Sequence, residues 1–383
     1  MATSALIDAS NLHVGGGVQV AASFLDELAE LIKEPEFRKR HPWVNNLHVV
    51  ASTTVTANCN NATINALALD TRDRRPNSLQ EWIPTPASKK FTASFTVFGP
   101  EYGVRKAHRQ IVGYADVTSV YGPAFPIPKN QIRAKLRHLV RATTSRALTR
   151  RADKIIVETS AMKEQTARAL PYSANAIEIV SNTVNGIFSQ PNNWHKPRAI
   201  DSIDRNFFMF CYISRAYPHK NHNIIGPIIE QLNYRGVTAK CIVTLKEDEW
   251  ARLSANTKDH CINIGPISIE EAPYVYSIAD ALLFPSLLEA FSVTPLEAAK
   301  LDKPMFLSDT DFNRTLFGQH AHYFDPRDSN SAGQQIASQI RTPGALAMHT
   351  ASARTISDAI PSPKDRAIRY AEAITEQVRL ASK

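Results

Sequence analysis

Cysteine is scarce in this sequence of 383 residues: Cys59, Cys211, Cys241 and Cys261 lie far apart, in no CxxC pair and beside no paired histidine spacing. That scatter argues against a disulfide framework or a zinc site and fits a reducing cytoplasm. No uninterrupted apolar run approaches the roughly 18 to 20 residues that a membrane span needs, so nothing here is expected to cross a bilayer. The opening MATSALIDASNLHVGGG lacks a basic segment before its short apolar stretch. No secretory signal is expected, and the chain is taken to start near Met1. Internal repeats and low-complexity tracts are also missing. The formal charge of +8 favours an anionic partner: nucleic acid, a membrane surface or a phosphorylated small molecule. A basic nucleic-acid-binding module would show aromatic stacking positions or a reading motif beside its basic face. Neither is evident, so nucleic acid is not expected as the partner.

Length points to two domains, because 383 residues exceed what one hydrophobic core organises. Short apolar, β-branched runs recur with helical stretches between them: ALIDAS, LHVVAS, FTVFG, KIIVETS and IEIVSN, then FFMFCYIS, KCIVTL, INIGP, ADALLFPS, PMFLSD and AHYFDP. Strand followed by helix, repeated, reads as parallel sheet. The stretch Val184 to Asn206 is rich in asparagine, proline and charge and has no clear period, which marks an interdomain linker. The expected fold class is α/β. Two doubly wound, Rossmann-like domains, residues 1–190 and 207–362, are joined by a linker at 191–206 and face each other across a cleft. Ligands of such sheets bind beyond the carboxyl ends of the strands. In 363–383, Ile368, Ala371, Ile374 and Val378 recur at helical spacing, predicting an amphipathic terminal helix that packs back on the N-terminal domain.

Three stretches carry chemistry. PSLLEAFSVTPLEAAK, Pro285 to Lys300, places Glu289 and Glu297 eight positions apart. On one straight helix they would stand about 12 Å and about 80° apart, too far to flank one bond as acid and base. The residues between them predict instead a strand end, a loop holding Glu289, and a helix starting near Thr294. Thr294 would cap it, with Pro295 at the first helical position and Glu297 three residues after the cap. A capping box alone accounts for Glu297, and a solvated loop charge for Glu289. The helix start also attracts an anion, and a phosphate there would lie between the two carboxylates. A nucleotide sugar has that shape: a hydroxyl-rich hexose, a diphosphate, then a ribose diol.

In CYISRAYPHKNHNII an apolar run ends at Ser214 and Arg215, with His219 and Lys220 just before the next helix. Arginine offers bidentate hydrogen bonds and lysine a compact charge, a pairing suited to a diphosphate, although two solvated surface cations account for the pattern as well. In DASNLHVGGGVQVAASFLDELAELI, Gly15, Gly16 and Gly17 separate a first strand from a strongly periodic helix. Such glycines let backbone approach a phosphate. They depart from GxGxxG, so NAD is not expected.

Together, EAFSVTPLEAA, SRAYPHKN and the N-terminal GGG resemble the family 4 retaining glycosyltransferases (glycosyl transferases group 1), which have the GT-B fold. The likeness is strongest from Phe207 to Asp328. In the N-terminal half it rests on the glycine loop, KIIVETSAMKEQ and IEIVSNTVNGIF. The resemblance implies that Arg215 and Lys220 hold the diphosphate, that Glu289 contacts donor sugar hydroxyls and Glu297 the ribose diol, and that amides around Phe291 and Ser292 add phosphate contacts. Ala290 and Ser292 stand where glycines are frequent in the family, which tightens the loop without removing its amides. The implied reaction transfers a hexose from a nucleotide-diphosphate sugar, with UDP or GDP as the expected nucleotide, to a glycan or lipid-linked glycan of a bacterial surface polysaccharide such as lipopolysaccharide or capsule. Configuration is retained, a donor phosphate oxygen takes the acceptor proton, and no metal or further cofactor is used. A GT-B sugar phosphorylase or sugar-phosphate synthase would use the same motifs.

Asp309-Thr310-Asp311 spells DxD, a metal-binding motif of a different glycosyltransferase fold, but a polar turn or helix cap suffices to explain it here. FGPEYGVRKAHRQIVGYADV offers Glu101, Tyr102, Arg105 and His108 just beyond a strand, where groups facing an acceptor would sit; an ordinary polar loop fits equally. Arg133, Arg137 and Arg141 recur every four residues in a basic stretch running from Arg133 to Arg151, with Leu136, Leu139 and Val140 among them. That pattern is an amphipathic surface helix, or a peripheral contact with anionic lipid headgroups at the inner face of the cytoplasmic membrane.

Overall fold

The apolar, β-branched runs become strands buried along most of their length, as parallel sheets covered by helices on both faces require. The computed structural model describes residues 3–74, 91–122, 132–170, 172, 174–204 and 206–382. Over these the chain divides into two units, the first ending at Thr183 and regaining Pro361–Lys383, the second spanning Val184–Ile360.

The first unit holds seven strands: β1 Ala5–Ala9, β2 Leu47–Ala51, β3 Asp70–Thr71, β4 Phe91–Thr96, β5 Ala107–Gly113, β6 Lys154–Val157 and β7 Ile177–Ile179. Their order is β3-β2-β1-β4-β5-β6-β7, and every pairing is parallel. β4 starts upstream of the FTVFG run and takes in only its Phe95 and Thr96, because pairing with β1 runs from Ala5 opposite Ala93 to Asp8 opposite Thr96. The second unit holds β8 Phe208–Tyr212, β9 Ala239–Val243, β10 Cys261–Asn263, β11 Ala281–Phe284, β12 Met305–Ser308 and β13 His322–Phe324. They are ordered β10-β9-β8-β11-β12-β13, again all parallel. Each sheet therefore grows outward in both directions from a central pair, β1 with β4 and β8 with β11. The loops leaving such a pair part to opposite faces and open the crevice where ligands of these sheets bind.

The terminal helix Pro363–Ala381 is capped by Ser362, whose hydroxyl accepts from the Asp365 amide. It buries Ala367, Tyr370, Ala371, Ile374 and Val378 against the helix Gly16–Leu31 and the strands β4 and β5. Tyr370 meets the rings of Phe24 and Phe95, both at 5.0 Å between centroids. Removing an aromatic side chain from such a cluster costs on the order of 3–5 kcal/mol. Where the sequence suggested a linker over 191–206, Ile200 is buried in the core of the second unit, as is Phe188 just before it. Short 3-10 turns at Gly186–Ser189, Pro191–Asn193 and Arg198–Ser202 bring them there. The chain therefore changes unit at Thr183 rather than at residue 190.

Candidate active site

The loops that leave β8 and β11 meet at the switch point of the second sheet. The Leu287 amide, after β11, donates to the His219 carbonyl, after β8 (2.8 Å). On this seam Lys220 Nζ lies 2.6 Å from Glu289 Oε1, with both side chains largely buried. The Ser286 hydroxyl donates to the same Glu289 oxygen (2.5 Å). Two functional groups read separately from the sequence are thus one ion pair. A pair this enclosed holds its geometry because either charge alone would be poorly solvated.

Arg215 sits five residues before Lys220 on the same loop, and its Nε donates to both oxygens of Glu249 (2.8 and 3.0 Å). Among the described residues neither of its Nη atoms takes part in a hydrogen bond. Glu249 is almost fully buried and also accepts from the amides of Ala216 (3.2 Å) and Lys246 (3.1 Å). Burial works against its ionisation, but the Arg215 bond and these amides outweigh it and hold the carboxyl below its ordinary value. Glu249 is not among the residues expected from the sequence. Its one local signal is the cluster Glu247-Asp248-Glu249 opening a helix after β9. Beneath the loop, His222 is buried with Nε2 3.2 Å from Ser214 Oγ. Burial, with Lys220 and His219 nearby, pushes its pKa down to about 3, so it serves as a neutral packing group.

The second glutamate is not a capping-box residue. The helix runs Val293–Lys300 with Ser292 at its N-cap, two residues earlier than the Thr294 cap expected, and makes no side-chain cap bond. Thr294 instead reaches the Ile213 carbonyl (3.5 Å), which ties the helix start to the β8 loop. Glu297 turns inward and accepts from the Tyr276 hydroxyl (2.8 Å). Burial, only partly offset by that hydroxyl and the Lys220 charge, pushes its carboxyl up to about 7. Tyr276, fully buried among apolar residues, had no signal in the sequence. Ser292 is buried and Phe291 half-buried on the approach to the helix. The site thus combines a guanidinium fixed by one edge, an ammonium paired with a carboxylate, and the positive end of a helix. An anion of two phosphates suits it.

At the other switch point, between β1 and β4, Gly15 caps the helix Gly16–Leu31 with φ 78°, a conformation L side chains rarely adopt. Gly16 and Gly17 fall inside the first helical turn. A Cβ at Gly17 would lie 3.3 Å from Leu12 and 3.5 Å from Phe98, whereas one at Gly16 would meet nothing within 4 Å. Gly16 therefore leaves the amide end of this helix open to a ligand.

The acceptor candidates need correction. FGPEYGVRKAHRQIVGYADV contains β5, and parallel pairing returns the chain to the amino edge of the sheet, where Phe91 N bonds Lys106 O (2.9 Å). His108 lies in that strand, and Arg105 beside it bonds the carbonyl of Ala107 (2.9 Å) and the carboxylate of Asp153. Both stand away from the ligand edge. Glu101 is buried, accepting from Ser94 (3.3 Å), the Lys106 amide (3.2 Å) and Gln110. Burial and nearby Asp8 push its carboxyl up to about 7. Tyr102 remains half-buried near Arg141 and Asp116. In the DxD, Asp309 forms a two-pronged pair with Arg314 (2.7 and 2.9 Å), and Asp311 begins the helix Asp311–Phe317. Among the described residues no helix is long and apolar enough to cross a membrane.

Two doubly wound parallel units, with a terminal helix returning to the first, define the GT-B class of glycosyltransferase folds. Residues 196–355 match the family described as glycosyl transferases group 1. The O-antigen chain mannosyltransferase RfbU of Salmonella typhimurium is 21% identical over 271 residues, covering 69% of this chain and 70% of that one. Among solved structures, a glycosyltransferase from Rickettsia africae is similar at 12% identity and TM-score 0.66, covering 99% of each chain. HepE from Anabaena, solved with UDP and glucose, is similar at 14% identity and TM-score 0.65, covering 98% of this chain and all of that one. At these identities the structural likeness speaks to the fold.

Proposed function

We propose that this glycosyltransferase moves a hexose, with retention, from a nucleotide-diphosphate sugar to a glycan or lipid-linked glycan acceptor in the synthesis of a surface polysaccharide. The observation that carries this is the convergence of Arg215, Lys220 and Glu289 at the switch point of the second sheet. Arg215, held at Nε, presents its two Nη groups to the diphosphate. Lys220 adds its charge, and as phosphate competes for that ammonium, Glu289 turns to sugar hydroxyls. Glu297 accepts from the ribose diol, and Phe291 and Ser292 supply amides. The acceptor hydroxyl attacks the face that the nucleotide leaves, and a donor phosphate oxygen accepts its proton. Protein groups position the reactants and stabilise charge on the leaving group.

Support for UDP as the nucleotide comes from HepE, solved with it, and for a hexose and a polysaccharide product from RfbU, an O-antigen mannosyltransferase. GDP is the other candidate. The DxD has no part in the scheme, since Asp309 is committed to Arg314. A thermal-shift screen against UDP, GDP, ADP and CMP and their sugars, with EDTA present, tests the donor site. A selective ligand at a hundredfold excess over Kd adds about 2.7 kcal/mol of stability. Silence from every nucleotide would sink the proposal.

A further inference from the structure

The helix Ile132–Thr149 turns three large apolar side chains outward. Leu136, Leu139 and Val140 are 59%, 62% and 56% exposed. The opposite face does the packing: Ala142, Ser145, Leu148 and Thr149 are buried, and Arg146 Nε donates to the Ser119 carbonyl (2.8 Å). A helix that merely covers its own domain points its apolar stripe inward. This one is anchored by Leu148 and otherwise by small and polar residues.

With 3.6 residues per turn, Leu136 centres the outer stripe, Val140 lies about 40° to one side and Leu139 about 60° to the other. Cations flank this stripe: Arg133 and Arg137 beyond Val140, Lys135 beyond Leu139, all exposed and none in an ion pair among the described residues. From Val117 to Ala152 the sequence contains no aspartate or glutamate. An apolar ridge between two cationic margins is the cross-section of a helix lying in a membrane interface, apolar side in the acyl boundary and cations at the headgroups.

We infer that this face docks on an anionic lipid bilayer. Charge complementarity selects the occupant: a second copy of a chain of charge +8 would set this helix against further positive charge. A nucleic-acid backbone offers no apolar layer for Leu136 and Leu139. The inference rests on this helix alone and does not depend on the donor site.

Co-sedimentation of the full chain with vesicles tests it, comparing equal parts phosphatidylglycerol and phosphatidylcholine with phosphatidylcholine alone. The wild type pellets with the anionic vesicles only. The variant Arg133→Gln/Lys135→Gln/Arg137→Gln loses on the order of a hundredfold in partitioning, about fivefold for each cation. Leu136→Ser/Leu139→Ser/Val140→Ser loses binding even at low salt. Since all six side chains are exposed, circular dichroism and melting should match the wild type in both variants. Equal pelleting with neutral vesicles, or unchanged binding by either variant, would overturn the inference. So would a dimer in light scattering that the serine variant dissolves, or tight oligonucleotide binding without vesicle binding.

Discussion

Replacing Glu297 with glutamine should stabilise the protein above neutral pH while weakening donor binding. The carboxyl is buried beside Tyr276, and its pKa is raised from 4.5 to about 7. At 1.36 kcal/mol per pH unit, that rise amounts to on the order of 3 kcal/mol of native-state penalty once the group is ionised. The sign follows from proton counting. Below 4.5 the group is protonated in both folded and unfolded chains and contributes no difference. Between 4.5 and about 7 the unfolded chain releases the proton that the folded chain keeps, so stability falls as pH rises; above about 7 the loss is complete. Glutamine keeps the volume and can still accept from Tyr276, but it has no proton to lose. Urea unfolding of wild type and Glu297→Gln from pH 4 to pH 9 should therefore show equal stability at the acid end and a growing advantage for the variant, levelling off above neutrality. Because hydroxyl donors favour the ionised form, nucleotide binding to the wild type should release a proton and tighten as pH rises through 7, and Glu297→Gln should lose that dependence. A stability difference that is flat with pH, or that grows toward acid, would refute the burial reasoning.

Other outcomes follow from the same geometry. Lys220→Ala should destabilise by about 3 kcal/mol, because it strands a buried Glu289, and Lys220→Ala/Glu289→Ala should cost clearly less than the sum of the single changes in urea unfolding; additivity would mean that the 2.6 Å contact carries no energy. Glu249→Ala should reduce nucleoside diphosphate affinity about tenfold by releasing Arg215, and adding it to Arg215→Ala should do no further harm in calorimetry, since its effect runs through that arginine. Gly15→Ala, at φ 78°, should lower the melting temperature by about 1 kcal/mol equivalent or more. Gly16→Ala should leave stability equal or up to about 1 kcal/mol better in urea unfolding, since a Cβ there meets nothing within 4 Å.

The central strands were legible because parallel strands buried on both faces read as continuous apolar runs. β5 was not: after Ala107 it runs through His108, Arg109 and Gln110, whose polar character hides it, while in the fold Arg109 pairs with Asp153 and the Gln110 amide donates to Glu101. That hidden strand carried Arg105 and His108 to the wrong edge of the sheet. Arg215, Lys220 and Glu289 could be placed because strand ends in such sheets mark the ligand edge. Their pairing could not, since contact between the loops after β8 and β11 depends on strand order, and strand order is not written locally. The capping-box reading of Glu297 fails for a related reason, since its partner Tyr276 lies on a separate helix. The apolar stripe of Ile132–Thr149 was visible in the sequence, but which way it faces is decided by what packs behind it.

The most direct test is calorimetric titration of the donor nucleoside diphosphate onto the wild type and onto Arg215→Ala, with folding of the variant confirmed by circular dichroism. The account predicts one site per chain in the wild type and an affinity at least about tenfold weaker in the variant, the loss expected for one charge-assisted pair. Equal affinity in both proteins, or no binding of any nucleoside diphosphate to the wild type, would contradict it.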